Sequence, residues 1–275
     1  MLRRLARHRS AVVGLIVIGV LMLAAIFAPV LAWHAPDIQN LPNRLAQPGS
    51  PGHVLGTDEL GRDILSRLLY GARISLAIGI VVVLVAVGVG VPAGALAGYD
   101  SRYDAPIMRL TDLLLSFPGI LLALVVVAVL GPGLRNAMLA VGIFSVPVFV
   151  RITRASVLSV RDLEYVHAAR VAGSSDVRIL FKHIMPNCLA PLLVQATFRV
   201  ATSILTAASL SFIGLGAQPP SPEWGAMLAT GRVNLYIAPH VTLYPGLAIF
   251  VTVLAFNLLG DGLRDLLDPR LGTTH

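Results

Sequence analysis

The stretch Ile74–Ala97 reads ISLAIGIVVVLVAVGVGVPAGALA, 24 residues without a charge. A helix needs about 20 mainly apolar residues to cross the hydrocarbon core of a bilayer. This stretch meets that length, so the chain is read as a membrane protein. Ala11–Ala32 and Leu113–Gly131 are equally free of charge. Three further stretches are less clean. Asn136–Val150 is soon followed by Arg151 and Arg154, Leu189–Ala217 contains Arg199, and Leu235–Leu259 is interrupted by Pro239 and His240. Six spans are therefore expected in an all-α integral membrane protein.

Composition agrees. Hydrophobic types make up 56% of the 275 residues and charged types 13%, about half the share usual in soluble domains. Mean hydropathy is +0.81. These values exclude a soluble enzyme and a disordered chain. The first apolar stretch is too long for an ordinary signal-peptide core, and Pro29, Trp33 and His34 follow it instead of a small-residue cleavage site. It is read as a retained first helix.

The net charge of +7 reports topology rather than nucleic acid, because cytoplasmic loops collect Lys and Arg. With the N-terminus inside, Met1–Ser10, Gly98–Asp112, Arg151–Cys188 and Gly260–His275 are cytoplasmic and hold 14 of the basic residues. The outer segments hold six, and Arg199 lies within a span. Both termini are thus expected in the cytoplasm. The organisation that follows is an N-terminus with first span at 1–32 and an extracytoplasmic loop with a short helix at 33–73. The core at 74–260 has spans near 74–97, 113–131, 136–155, 189–213 and 238–259, and a tail covers 261–275.

Several spans contain proline: Pro29, Pro92, Pro118, Pro147, Pro191 and Pro245. Each kinks its helix or frees a carbonyl that neighbours must satisfy. Gly90, Gly94 and Gly98 recur every four residues, a spacing that lets another backbone approach closely. They predict a packed helix–helix seam. Cys188 is the only cysteine, which excludes an internal disulfide. It reads as a small buried residue.

Catalytic patterns are missing. The only lysine, Lys182, is followed by His183, so no P-loop exists. No His-Glu-x-x-His helix, Gly-x-Ser-x-Gly elbow or His pair with ligand spacing and a third donor is present. The chain is not expected to be an enzyme or to bind a metal or cofactor of its own.

The informative hydrophilic segment is Asp162–Asn187, DLEYVHAARVAGSSDVRILFKHIMPN, within the loop 160–187. A first helix is expected over Glu164–Ala172, stopped by Gly173 in the left-handed region. Ser174 or Ser175 caps the next helix, with Asp176 in its first turn. Val177, Leu180, Phe181 and Ile184 fall at i, i+3, i+4 and i+7, one apolar face. Pro186 is expected to end that helix. Ala168, Ala169, Ala172 and Gly173 make a flat surface suited to docking in a groove of another protein. A pair of helices lying on lipid is the alternative.

This segment resembles the EAA loop of ABC-importer permeases: Glu-Ala-Ala, three residues, Gly, nine residues, Ile, one residue, Leu-Pro. Ala168, Ala169, Gly173 and Pro186 match at that spacing. His167 replaces the usual Glu, with Glu164 one turn earlier, while His183 and Met185 replace Ile and Leu. Four other blocks are similar to the dipeptide/oligopeptide (nickel) permease family, in its second-permease or C-type subunit. They are His53–Leu76 (HVLGTDELGRDILSRLLYGARISL), Met108–Leu124 (MRLTDLLLSFPGILLAL), Ser209–Leu228 (SLSFIGLGAQPPSPEWGAML) and Asn257–Arg270 (NLLGDGLRDLLDPR).

The resemblance implies one half of a heterodimeric type-I importer pore working by alternating access. It implies a second permease chain, one or two cytosolic ATPases that bind ATP and Mg, and an extracytoplasmic solute-binding lipoprotein. Glu164, His167, Ala168, Ala169, Arg170, Gly173, Ser175 and Pro186 would form the ATPase-coupling loop, in the cytoplasmic membrane. Dipeptides or oligopeptides are the expected cargo, with nickel chelates, glutathione or another small solute as alternatives. An ion-coupled secondary transporter is disfavoured because inverted repeats and intramembrane acids are not found. A membrane-embedded hydrolase is disfavoured for want of a nucleophile–base pair.

Read from residues alone, Thr57-Asp58 starts an outer helix that continues over Arg62–Ser75. Its alternating charges suggest a solvated, salt-laced surface. Trp224 reads as an interfacial anchor, and the resemblance places Gly216–Trp224 on the face that receives substrate. Asp261, Asp265 and Asp268 alternate with Arg264 and Arg270 in a solvated tail that the resemblance puts near the ATPase. Arg199, a charge inside a span, costs several kcal/mol unless paired or wet. It is expected to line the translocation pathway or to form a structural pair.

Overall fold

The computed structural model describes residues 8–267. Arg3, Arg4 and Arg7, together with Asp268 and Arg270 of the expected tail, lie outside the described residues. The first helix, α1 (Arg9–Ile26), breaks at Phe27 before a helical turn over Ala28–Leu31. Pro29 explains the break, since it has no N–H to bond the carbonyl four residues back. After a looped segment come α2 (Ile64–Tyr99), α3 (Ser101–Leu115), α4 (Gly119–Leu130), α5 (Leu134–Arg161) and α6 (Glu164–Val171). The described residues end with α7 (Met185–Phe212), α8 (Trp224–Gly231) and α9 (His240–Leu267).

Among the described residues five helices are long and apolar enough to cross a membrane, or six if the bent pair α3–α4 counts as one span. The expected span 113–131 takes in only the end of α3 and the whole of α4. The chain turns by 89° between Leu115 and Gly119, and the 12 residues of α4 follow the turn. Pro118 causes the corner: it has no N–H to donate, and it disfavours helical geometry at Phe117. The α3 limb is amphipathic, and its acids meet α5. Asp112 pairs with Arg151 at 2.6 Å, and Asp104 holds Arg154 in a two-pronged contact whose Nη2–Oδ2 distance is 2.6 Å.

The separate outer helix is not formed. Asp63 caps a single helix of 36 residues by accepting from Ser66 N–H at 2.8 Å. At 1.5 Å per residue it is about 54 Å long, so it carries the expected span and the outer segment in one rod. The charges before and on its first turn are not solvated. Asp58, Arg62 and Arg67 are each 3% exposed. Arg62 Nε lies 2.6 Å from Asp58 Oδ2 and its Nη2 3.0 Å from Glu59 Oε1. Arg67 donates to the carbonyls of Pro36, Pro220 and Ser221 at 3.1–3.4 Å. Neighbours far away in the chain replace water around these groups.

The glycine seam is present. A Cβ on Gly90, Gly94 or Gly98 would lie 2.8, 2.5 or 2.9 Å from the carbonyl oxygens of Val146, Val150 and Arg154. The backbones of α2 and α5 therefore touch directly, as close-packed membrane helices do. On the other flank, α1 packs on α9, where a Cβ on Gly14 would meet the Ala255 carbonyl at 2.6 Å. Cys188 is fully buried in α7, and its thiol sits 3.4 Å from the Ile184 carbonyl.

Candidate functional site

At the end of the bundle where α2 finishes, residues 162–187 form a compact corner. Glu164 opens α6, where an acid suits the helix dipole, and Gly173 closes it at φ +81°. The closing bonds run from Gly173 N–H to Arg170 O at 3.0 Å and from Ser174 N–H to Ala169 O at 3.1 Å. That reciprocal pair is a Schellman cap, which a left-handed glycine permits at no steric cost. Ser175 is the N-cap residue of the next turn, Asp176–Arg178, without a side-chain cap bond.

The second helix departs from the expected pattern. Pro186 does not end it. The chain passes through a π-helical stretch, Ile179–Ile184, straight into α7. A widened turn is a known way to carry a proline, whose ring and missing N–H disrupt the ordinary ladder. The wider turn also resets the face. Ile179 and Ile184, five residues apart, are fully buried, whereas Val177 and Phe181 are each 68% exposed.

Polar bonds lock the corner to the bundle. The Tyr99 hydroxyl donates to the Asp176 carboxylate, and Arg161 Nη1 donates to the Gly98 carbonyl at 2.8 Å. Asn187 Nδ2 donates to Tyr165 Oη at 3.0 Å and to the His183 carbonyl at 2.8 Å. These partners were not evident from sequence, because Tyr99 and Asp176 are 77 positions apart. Val166 is buried and anchors α6.

Of the expected loop residues, Glu164, His167, Ala168, Arg170, Gly173, Ser175 and Pro186 are exposed on this corner. Ala169 is the exception: it is half-buried and packs inward against the core. The exposed set is joined by Val171, which is 90% exposed. No atom lies within 4 Å of where a Gly173 Cβ would stand. The corner thus offers an apolar and small-residue surface on a rigid base.

Arg199 sits mid-way along α7 and is half-buried. Its guanidinium carbon stands 5.4 Å from the ring centroid of Phe144, a cation–π contact. Its Nε has no hydrogen-bond partner, and among the described residues no carboxylate pairs with it. Phe144 in turn lies over Gly119, where a Cβ would fall 1.9 Å from its ring. The ring therefore wedges between the charge and the start of α4.

At the opposite end, Trp224 is not an interfacial anchor. It is 1% exposed and its Nε1–H donates to the Leu68 carbonyl at 3.1 Å. Glu223 caps α8 by accepting from the N–H groups of Gly225 and Ala226 at 2.9 and 2.8 Å. Burial pushes its carboxyl above the usual carboxylate range, against the pull of those bonds and of the Ser211 hydroxyl.

Among the described residues, five long apolar helices and a bent pair, with a small-residue corner between two of them, make this a polytopic membrane protein. The match of residues 90–273 to the model of the binding-protein-dependent transport system inner membrane component shows that the chain belongs to that family. Residues 1–48 match the N-terminal TM domain of oligopeptide transport permease C. The chain is 48% identical over 270 residues to the dipeptide transport system permease protein DppC of Alkalihalophilus pseudofirmus, covering 98% of this chain and 88% of that one. It is 51% identical over 270 residues to the glutathione transport system permease protein GsiD of Pectobacterium atrosepticum, covering 98% and 89%. Identity to the di/tripeptide transport system permease protein DppC of Pseudomonas aeruginosa is 47% over 272 residues, covering 97% and 90%.

Among solved structures, an inward-facing MetNI methionine ABC transporter aligns with TM-score 0.60 and 19% identity, over 73% of this chain and 96% of that one. That likeness shows the type-I importer permease fold. The chain is a permease subunit of an ABC importer in the inner membrane. Its family works with ATPase and solute-binding partners, and hydrolysis takes place on separate subunits.

Proposed function

We propose that this subunit moves dipeptides or short oligopeptides inward by alternating access, with the 164–186 corner as its contact to the ATPase. The observation that carries the coupling reading is the Schellman corner at Gly173. It holds small and apolar groups outward on a base pinned to α2 through Tyr99 and Arg161. A load applied there reaches the pore wall without first being absorbed by a soft loop. The ATPase dimer must bind one pore state better than the other for this to drive transport. In this reading both termini are cytoplasmic and the pore is a heterodimer with a second permease chain. One or two ATPases carry ATP and Mg, a lipoprotein delivers the solute, and nucleic acid is not a partner. Relatives named for dipeptides and di/tripeptides support the cargo class.

The expected result for Gly173→Trp in the reconstituted importer is a loss of uptake of roughly 5–150-fold, the range of a coupling energy of about 1–3 kcal/mol. Basal ATP hydrolysis is retained. Gly173→Asn, which tolerates the left-handed region, keeps most of the uptake. Any L residue at φ +81° is strained, so Gly173→Ala, which carries the strain without the bulk, is the reference, and the uptake that Trp loses beyond Ala belongs to the partner interface. Wild-type uptake by Gly173→Trp overturns the docking assignment.

Arg199 is proposed to face the pathway and to meet a peptide carboxylate, since no carboxylate of the described chain claims it. Arg199→Ala is expected to assemble normally and to raise the half-saturating peptide concentration. Unchanged uptake kinetics would remove it from the pathway. A glutathione-transporting reading is favoured by the 51% identity to GsiD. Stimulation of ATPase activity by dipeptides, set against stimulation by glutathione, separates the two.

A further inference from the structure

The end of the bundle opposite the coupling corner holds a second constellation. His34 follows α1, His53 lies in the looped segment, and Asp63 caps α2. One ligand atom from each lies within 4.8 Å of the other two. The two imidazoles stack with centroids 4.9 Å apart and planes at 29°. With Asn40 they line a small cavity of about 70 Å³. Gly61 closes its floor at φ +72°, where a Cβ would lie 1.9 Å from the Asn40 carbonyl.

The donors are held in place. Asp63 Oδ2 accepts from Ser66 N–H at 2.8 Å and from the Ser66 hydroxyl at 2.7 Å. Its Oδ1 lies 3.0 Å from His53 Nδ1. His53 is 8% exposed and Asp63 4%. His34 Nδ1 is buried without a hydrogen-bond partner, an arrangement that asks for an explanation because buried polar atoms are normally satisfied. Ordinary capping accounts for Asp63 and Ser66. It does not account for two stacked imidazoles, one of them unpartnered, beside an oriented carboxylate.

We propose that His34, His53 and Asp63 form a binding site for a divalent transition-metal cation of the zinc type. Imidazole nitrogens and one carboxylate suit such ions, whereas magnesium and calcium prefer all-oxygen sets. Bonds of about 2.0–2.1 Å at tetrahedral angles separate ligand atoms by roughly 3.3 Å. The His53–Asp63 pair already meets that spacing, and rotation of the half-buried His34 ring closes the remainder. Asn40 or water completes the shell. The ion ties the segment behind α1 to the first turn of α2, on the face away from the ATPase corner.

The test uses the assembled importer purified without a polyhistidine tag and equilibrated with buffered Zn²⁺, followed by metal analysis. Wild type is expected to hold one more zinc per complex than His34→Gln or His53→Gln. Loss of a ligand should weaken affinity beyond the about 10–100-fold typical of a group that only orients a ligand. His34→Gln is the decisive variant because its ring Nδ1 has no hydrogen bond to lose; in metal-free buffer it gives up only the stack on His53, so it should melt close to wild type. Zinc raises the melting temperature of wild type alone, as binding only the folded state requires. Co²⁺ in place of zinc gives visible absorption bands sensitive to His53→Gln. A wild-type complex with no extra zinc overturns the site, as does His34→Gln binding zinc with unchanged affinity.

Discussion

Replacing Asp58 by alanine is expected to destabilise the subunit by about 3–5 kcal/mol, the cost of breaking a buried ion pair from one side. The Asp58 carboxylate stands between two guanidinium groups. Arg62 Nε is 2.6 Å from its Oδ2 and Arg67 Nε 3.5 Å, all three residues being 3% exposed. Its Oδ1 also accepts the backbone N–H groups of Leu60 and Arg62 at 2.9 Å each. Alanine leaves two buried cations facing one another, with Glu59 3.0 Å from Arg62 and the exposed Asp37 4.0 Å from Arg67. Asp58→Asn keeps an acceptor for the backbone and removes only the charge, so it should cost less than Ala. Asp58→Leu combined with Arg62→Leu should recover part of the loss, because exchanging a buried pair for apolar packing is often neutral or better. Thermal or denaturant unfolding of the purified complex measures all three. An alanine variant as stable as wild type would mean that water reaches these groups.

The same cluster shows where sequence reading stops. Alternating Asp, Glu and Arg over residues 58–73 has the pattern of a solvated helix. Whether such charges face water is decided by what covers them. Here the covers are Pro36, Pro220 and Ser221, contributed from far along the chain. Features written in local spacing were legible. The charge-free run in α2 needs only its length to declare a span, and the glycines at 90, 94 and 98 need only their period to declare a seam. Gly173 announced its left-handed stop because nothing but φ was at issue. Pro118 announces a kink but not its size: hydropathy continues across the bend, so the 89° turn between α3 and α4 was not legible. Pro186 does not stop the helix because a π-turn lets it pass a proline; of the expected face, Ile184 is buried and Leu180 packs on the core, while Ile179 takes the inward place of Val177 and Phe181. Ala169 shares a triplet with exposed neighbours yet turns inward, a one-residue rotation that spacing alone does not fix.

Trp224→Ala is expected to cost about 3–5 kcal/mol, as large-to-small changes of buried aromatic residues do. The indole is 1% exposed and fills the space between α8 and the first turns of α2. Its fit depends on Gly71, where a Cβ would lie 2.4 Å from the Pro222 carbonyl and 2.7 Å from Trp224 Cδ1. On its other side, Gly225 lets α8 touch α7, since a Cβ there would be 2.4 Å from the Ala208 carbonyl. Trp224→Phe retains most of the apolar area and gives up the N–H bond to Leu68, so its loss should be smaller. Part of that loss is about 0.5–1.5 kcal/mol for the bond itself. Gly71→Ala attacks the same contact from α2 by overpacking, at about 1–3 kcal/mol. The two changes touch one volume, so the double variant Gly71→Ala/Trp224→Ala should be less destabilised than the sum of the singles. Unfolding of the four proteins closes that cycle. Strict additivity would place Gly71 and Trp224 in independent contacts and break the link between α2 and α8. Coupling would mean that the two blocks His53–Leu76 and Ser209–Leu228 are kept together by packing rather than by a shared exposed surface.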